Sequence, residues 1–324
     1  MIRPIVLRIL VAIPLMLAST VVTFFAVSLA GDPLDRYRQP NVPQSTLDAK
    51  AAELGLDQPV AIRYWDWITG VLHGDLGLNS EGQPVMDELI GRSMISFRLI
   101  ATAVLIAIVV AVVVGFTAAI HRNTWTDRAL MAITILLLTA PEFWVAVVAK
   151  QTVIEIQGLT GTHLIATIGD SSPGIARSGP WEQFLDQLSH LILPTIVLVL
   201  AVYPIWAMYQ RAAMVEVIDS DYIRLAIAKG LPRNRVLFTH GLRNALMPLV
   251  TVVTLRLPWI VSGLVVVETI FGWRGLGKML VDGVQKQDTN TVLAFMLLVA
   301  VLITVLNLVA DIIHRFLDPR LRDA

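Results

Sequence analysis

The chain has 324 residues, 56% of them hydrophobic and 15% charged, with no cysteine and with 25 basic side chains balanced by 25 acidic ones. So apolar a composition exceeds the ordinary soluble range, and the surplus faces lipid. The absence of cysteine excludes disulfides, thiolate metal sites and thiol nucleophiles, while a net charge of zero by itself names no partner.

Six stretches are each long enough to cross a hydrocarbon core of roughly 30 Å as a helix: Ile9–Leu29, Phe97–Ile120, Ala129–Val153, Leu188–Met208, Leu246–Ile270 and Thr291–Ile313. They show neither the alternation nor the ten-residue segmentation of a membrane barrel, so the expected class is an all-α membrane protein with six transmembrane helices. In chain order, residues 1–30 are an amino-terminal segment and first span. Arg3 and Arg8 ahead of the apolar run, with Ser28-Leu29-Ala30 after it, also resemble a secretory signal. The run is longer than a signal core and five further spans follow, which favours a retained anchor.

Residues 31–96 form a loop in which Asp48–Leu54 and Val60–Leu72 read as short helices separated by Gly55 and Pro59. Trp65 and Trp67 suit a water–lipid interface. Residues 97–313 hold the other five spans, at about 97–120, 129–153, 188–208, 246–270 and 291–313, with a loop at 211–245 and a tail at 314–324. Taken together, the start, the loop His121–Arg128, the loop Arg211–Ala245 and the tail hold more basic than acidic residues, whereas the three opposite loops together hold more acidic than basic ones. Basic residues stay inside, which places both termini and the 211–245 loop in the cytoplasm and 31–96 outside the cell membrane.

The 211–245 loop is too patterned for a simple connector. Ser220 can cap a helix whose Tyr222, Ile223, Ala226 and Ile227 share a face, Gly230 can end it, and Leu231-Pro232 opens a second helix. An apolar face flanked by Arg224, Lys229, Arg233 and Arg235 has to dock on something, either a partner protein or anionic lipid. A DNA-reading helix-turn-helix is disfavoured, because both ends are tethered by spans.

The runs Asp221–Gly230 (DYIRLAIAKG) and His240–Pro248 (HGLRNALMP) resemble the coupling motif of the dipeptide and oligopeptide ABC permeases. Gly31-Asp32-Pro33, Leu54–Pro59, Gly74–Gly77, Val267–Phe271, Gly275-Leu276-Gly277 and Leu317–Arg320 are similar to that family in order and spacing. The resemblance implies a type I ABC importer permease: part of a translocation pathway, not an enzyme, binding no cofactor itself. ATP and Mg are used by partner subunits. It further implies a second homologous permease, two ABC ATPase subunits, an extracytoplasmic solute-binding protein and membrane lipid as partners, with no nucleic acid, in a bacterial inner membrane. Tyr222, Arg224, Ala226, Lys229 and Gly230 fall where the ATPase docks. Arg224 departs from the pattern, since the broader motif of ABC importers usually starts with glutamate there. Peptide is the expected cargo, with nickel or another small solute as the alternative.

Arg256 lies ten residues into the fifth expected span, about 15 Å deep, so it faces a pathway or a partner helix and not lipid. In a plainer role, Pro258 frees the carbonyl of Thr254 and Arg256 satisfies it. Glu268, near the end of the same span, is the second pathway candidate; it and Glu142 are the carboxylates that a self-sufficient secondary transporter would use. An intramembrane enzyme would need a nucleophile paired with a base, which no motif supplies. Gly272–Met279 approaches a phosphate-binding loop but lacks the final serine or threonine and reads as a turn. Asp170-Ser171-Ser172 likewise reads as a turn. The six histidines have no metal-binding spacing.

Overall fold

The computed structural model describes residues 2–30, 34, 38, 43–53 and 56–317. Among them the regular structure is helical, and extended pairing is limited to one bridge between Leu78 and Pro84. The helices are α1 (Ile2–Ala30), α2 (Gln44–Glu53), α3 (Val60–Leu72), α4 (Val85–Ile120), α5 (Trp125–Thr139), α6 (Glu142–Thr160), α7 (Pro180–Ile218), α8 (Asp221–Ala228), α9 (Arg233–Val236), α10 (Leu242–Phe271), α11 (Leu276–Gln285) and α12 (Thr289–Leu317). Gly31-Asp32-Pro33, Leu54-Gly55 and the tail from Asp318 lie outside the described residues.

Among the described residues five helices are long and apolar enough to span a membrane, and α5 with α6 makes a sixth span only as a pair bent by 105°. The expected straight helix at 129–153 is therefore broken. Proline disfavours helical geometry in the residue before it, and Ala140 accordingly adopts φ −70°, ψ 130° ahead of Pro141. The other spans overrun their expected limits: α4 begins at Val85 instead of Phe97, and α7 covers Pro180–Ile218 instead of Leu188–Met208. Hydropathy marks the lipid-facing length, whereas these helices continue beyond it through mixed sequence.

The chain divides into two compact units. The first comprises residues 1–96 and 274–305. Its core joins Leu76, Val85, Leu89, Leu276, Met279, Ala294 and Phe295, and a second cluster joins Phe24, Trp67 and Leu293. Full burial of such a side chain contributes about 1.5–3 kcal/mol. Trp67 is only 7% exposed and is thus a core residue, in contrast to the interfacial role read from sequence, while Trp65 is 67% exposed. The periodicity of α3 turns neighbouring tryptophans to different sides. The Asp288 carboxylate accepts from the Thr291 amide at 3.1 Å, capping α12, and from the Ser80 amide at 2.5 Å. Ser96 Oγ accepts from the Leu276 amide at 2.7 Å, satisfying the first turn of α11.

The second unit comprises residues 97–273 and 306–324. Here α7 and α10 pack along one another, each carrying two internal prolines, Pro194 and Pro204 in α7, Pro248 and Pro258 in α10. At Gly115 of α4, an added Cβ would stand 2.8 Å from the Ala207 carbonyl of α7, so two backbones meet there. Lys150 Nζ donates to the Ile270 carbonyl at 2.7 Å, placing a cation on the last turn of α10. The Gly169 amide donates to the Phe271 carbonyl at 2.7 Å, and the Ser172 amide to Asp186 at 3.0 Å, so the 169–172 segment is a bend tied to α10 and α7.

Candidate functional site

The 219–241 segment folds as a short helix, a turn and a second helical stretch. Ser220 sits at the amino-terminal cap of α8 with extended geometry, but its hydroxyl donates back to the Val217 carbonyl and makes no cap bond. Gly230 adopts φ +86°, the left-handed conformation that ends a helix, and its amide donates to the Ile227 carbonyl at 2.9 Å. Pro232 then precedes α9 as its cap residue. The chain continues through a π-helical stretch, Leu237–Gly241, directly into α10.

The α8 face differs from the expected one. Ile223 is 1% exposed and Ala226 half-buried, but Tyr222, Leu225 and Ile227 are exposed, along with Arg224 and Lys229. Ile223 anchors the helix, while the rest of its apolar surface is open for a partner. Tyr222 is not free to move, since its hydroxyl accepts from Asn244 Nδ2 at 3.0 Å and ties α8 to α10. Arg224 makes a 3.7 Å ion pair with Asp221 on the surface.

Beside this loop, two ion pairs tie its supporting elements. Arg211 of α7 holds Asp127 of α5 in a two-pronged bond, with Nε and Nη2 each 2.7 Å from a carboxylate oxygen. Asp127 also accepts from the Asn123 amide at 3.0 Å, with Asn123 in a left-handed turn at φ 66°. The second pair, Arg122 with Asp219 at 2.9 Å, is exposed.

Deeper in the same unit, a cavity of about 430 Å³ lies between α6, α7 and α10. Its apolar wall includes Leu198, Val202, Ile205, Trp206, Ile260 and Val266, and its polar residues include Glu142, Arg256 and Ser262. The Arg256 guanidinium stands over the Trp259 ring at 5.9 Å from its centroid. It does not bond the Thr254 carbonyl; the Thr254 hydroxyl turns to Val250 O. Glu268 does not line this cavity and is 0% exposed, so the two pathway candidates part company. Glu142, at the first position of α6, lines the cavity instead.

The model of the binding-protein-dependent transport system inner membrane component matches residues 111–323, and that of the amino-terminal part of such membrane components matches residues 1–95. The chain belongs to this family. Over 317 residues, 97% of either chain, it is 39% identical to the oligopeptide transport system permease protein OppB of Mycobacterium tuberculosis H37Rv. It is 34% identical to the dipeptide transport system permease protein DppB of Escherichia coli K12 over 99% of each chain. The glutathione transport system permease protein GsiC of E. coli O6:H1 is 33% identical over a similar share. The chain is thus an inner-membrane permease of a binding-protein-dependent ABC importer.

In this permease, Tyr222, Arg224 and Ala226 lie on α8, Lys229 caps its carboxyl end and Gly230 follows in the turn. The cavity was only half legible in the sequence. Arg256 announced itself as a charge within an apolar run, but the role of Glu142 depends on the break at Pro141, which swings the start of α6 toward α7 and α10. The available signal was a proline directly ahead of a lone carboxylate inside a predicted span. Among the described residues, no group of histidine and carboxylate side chains is arranged to hold a metal ion.

Proposed function

We propose that this permease forms half of the translocation pathway of an ATP-driven importer of di- or oligopeptides. The observation that carries the reading is near-full-length similarity, at 34–39% identity, to permeases named for oligopeptide and dipeptide transport. A solute-binding protein delivers cargo outside the membrane, a second homologous permease completes the pathway, and two ATPase subunits hydrolyse ATP with Mg. Both termini and α8 face the cytoplasm. The open apolar surface of α8 and the basic Arg224 and Lys229 support docking of an ATPase, and the left-handed Gly230 fixes where that helix stops. Alternating access follows when the ATPases close and their motion passes through α8 to the spans.

Arg256 belongs to the pathway in this reading, since it lines a cavity and has no ion pair with any described residue. Copurification tests the assembly. The affinity-tagged permease should bring down one further permease and the ATPase subunits, and mass spectrometry of the purified binding protein should find peptide. Recovery of the permease alone, with substrate uptake driven by a proton gradient, would instead make it a secondary transporter.

A further inference from the structure

The side chains of Glu142 and Arg256 are opposite charges lining one cavity, yet they do not pair with each other, and neither side chain has a hydrogen bond or ion pair with another described residue. Unpaired charges at membrane depth are costly and persist where a cargo or water meets them. Two features hold Glu142 in place. The amino-terminal end of α6 favours negative charge at its first residue. Opposite it, α10 has Gly263, where an added Cβ would fall 2.7 and 2.9 Å from the two carboxylate oxygens. The backbone of α10 therefore leaves room for the Glu142 carboxylate and for little else.

Trp206 is fully buried beside the cavity. The remaining wall is aliphatic and accepts side chains of varied shape.

We infer that Glu142 and Arg256 are the two poles of a transit site for a peptide main chain, Glu142 receiving the terminal ammonium and Arg256 the terminal carboxylate. The inference rests on the peptide-import reading above and deepens it. The poles engage what all free peptides share, which suits a pathway that must pass many sequences.

A water-soluble carbodiimide joins a carboxyl group to an amine in contact with it, so it can test the ammonium pole directly. The complete transporter, in proteoliposomes with its binding protein, would be treated during turnover with a C-terminally amidated peptide and then digested for mass spectrometry. The expected result is a peptide adduct on the fragment carrying Glu142, and none when the peptide is N-acetylated. The absence of an adduct at Glu142 while amidated peptide is being transported overturns the assignment. In parallel, Glu142→Gln should lower turnover about tenfold with unchanged complex yield and unchanged KM for the loaded binding protein, while Glu142→Asp retains most of the rate. Wild-type turnover in Glu142→Gln also overturns it. The adduct is read on the wild-type complex and decides the matter even where a variant fails to assemble. If the wild-type complex moves a non-peptide solute and no peptide, the peptide-import reading itself fails, a different result from a silent Glu142 in a working peptide importer.

Discussion

Gly230 illustrates how much one backbone angle determines. Nothing lies within 4 Å of the position its Cβ would take, so a side chain there meets no steric neighbour; the obstacle is the left-handed φ of +86°. A β-branched residue in that region is strained by about 1–2 kcal/mol. Gly230→Val should insert in the membrane normally but lose substrate-stimulated ATP hydrolysis, because α8 no longer ends in the right place. Normal transport by this variant would refute the docking role, and Gly230→Asn, which tolerates positive φ, should retain more activity. Gly230 could be recognised from sequence because helix-ending glycines follow an apolar periodic run. The hydroxyl of Ser220 could not, since serine serves equally well as a cap or as a back-bonding residue, and only the neighbouring Val217 carbonyl decides. The burial of Glu268 was equally hidden, because a charge near a span end reads the same whether it faces a pathway or packed helices.

Among elements, the two ion pairs beside the 219–241 segment make a controlled comparison. The Asp127 side chain is 6% exposed and receives both prongs of Arg211, whereas Arg122 and Asp219 are about half exposed. Breaking a buried pair leaves an uncompensated charge and costs on the order of 3 kcal/mol, while a surface pair contributes at most about 1 kcal/mol. Asp127→Asn should clearly lower the melting temperature of the detergent-purified complex, and Arg122→Ala should scarcely shift it. Equal shifts would show that α5 and α7 are not held by the Asp127 clasp. Element limits were read best where turn chemistry bounds them, as with Val60–Leu72, recovered to the residue between Pro59 and the turn at His73. They were read worst at Ala140-Pro141, where continuous hydrophobicity concealed a 105° break. Hydropathy reports what lipid tolerates, and proline reports what a helix tolerates. The third span required both.

At the level of the whole molecule, the charge asymmetry between loops makes a prediction the fold leaves open. The chain has no native cysteine, so single introduced thiols report without background. Cysteines at the exposed Thr162 and Asn234 should behave oppositely in intact cells, the first reacting with an impermeant thiol reagent and the second not. The reverse pattern would turn α8 away from the ATP pool and end the coupling argument. Family membership was legible because its motifs recur from one end of the chain to the other, even though some of them fall outside the described residues. Within the second unit, the proline positions also bear on how the pathway moves. Pro204 lies within the stretch of α7 that walls the cavity, and Pro258 within the corresponding stretch of α10. Each removes one hydrogen-bond rung of its helix, so a bend costs least at the height of the cavity. Rods that slide must break their packing along the full length, but walls that flex at mid-height can narrow one mouth as they widen the other. In the import reading proposed above, the conduit would work like a hand-squeezed tube, passing its contents along without ever standing open at both ends.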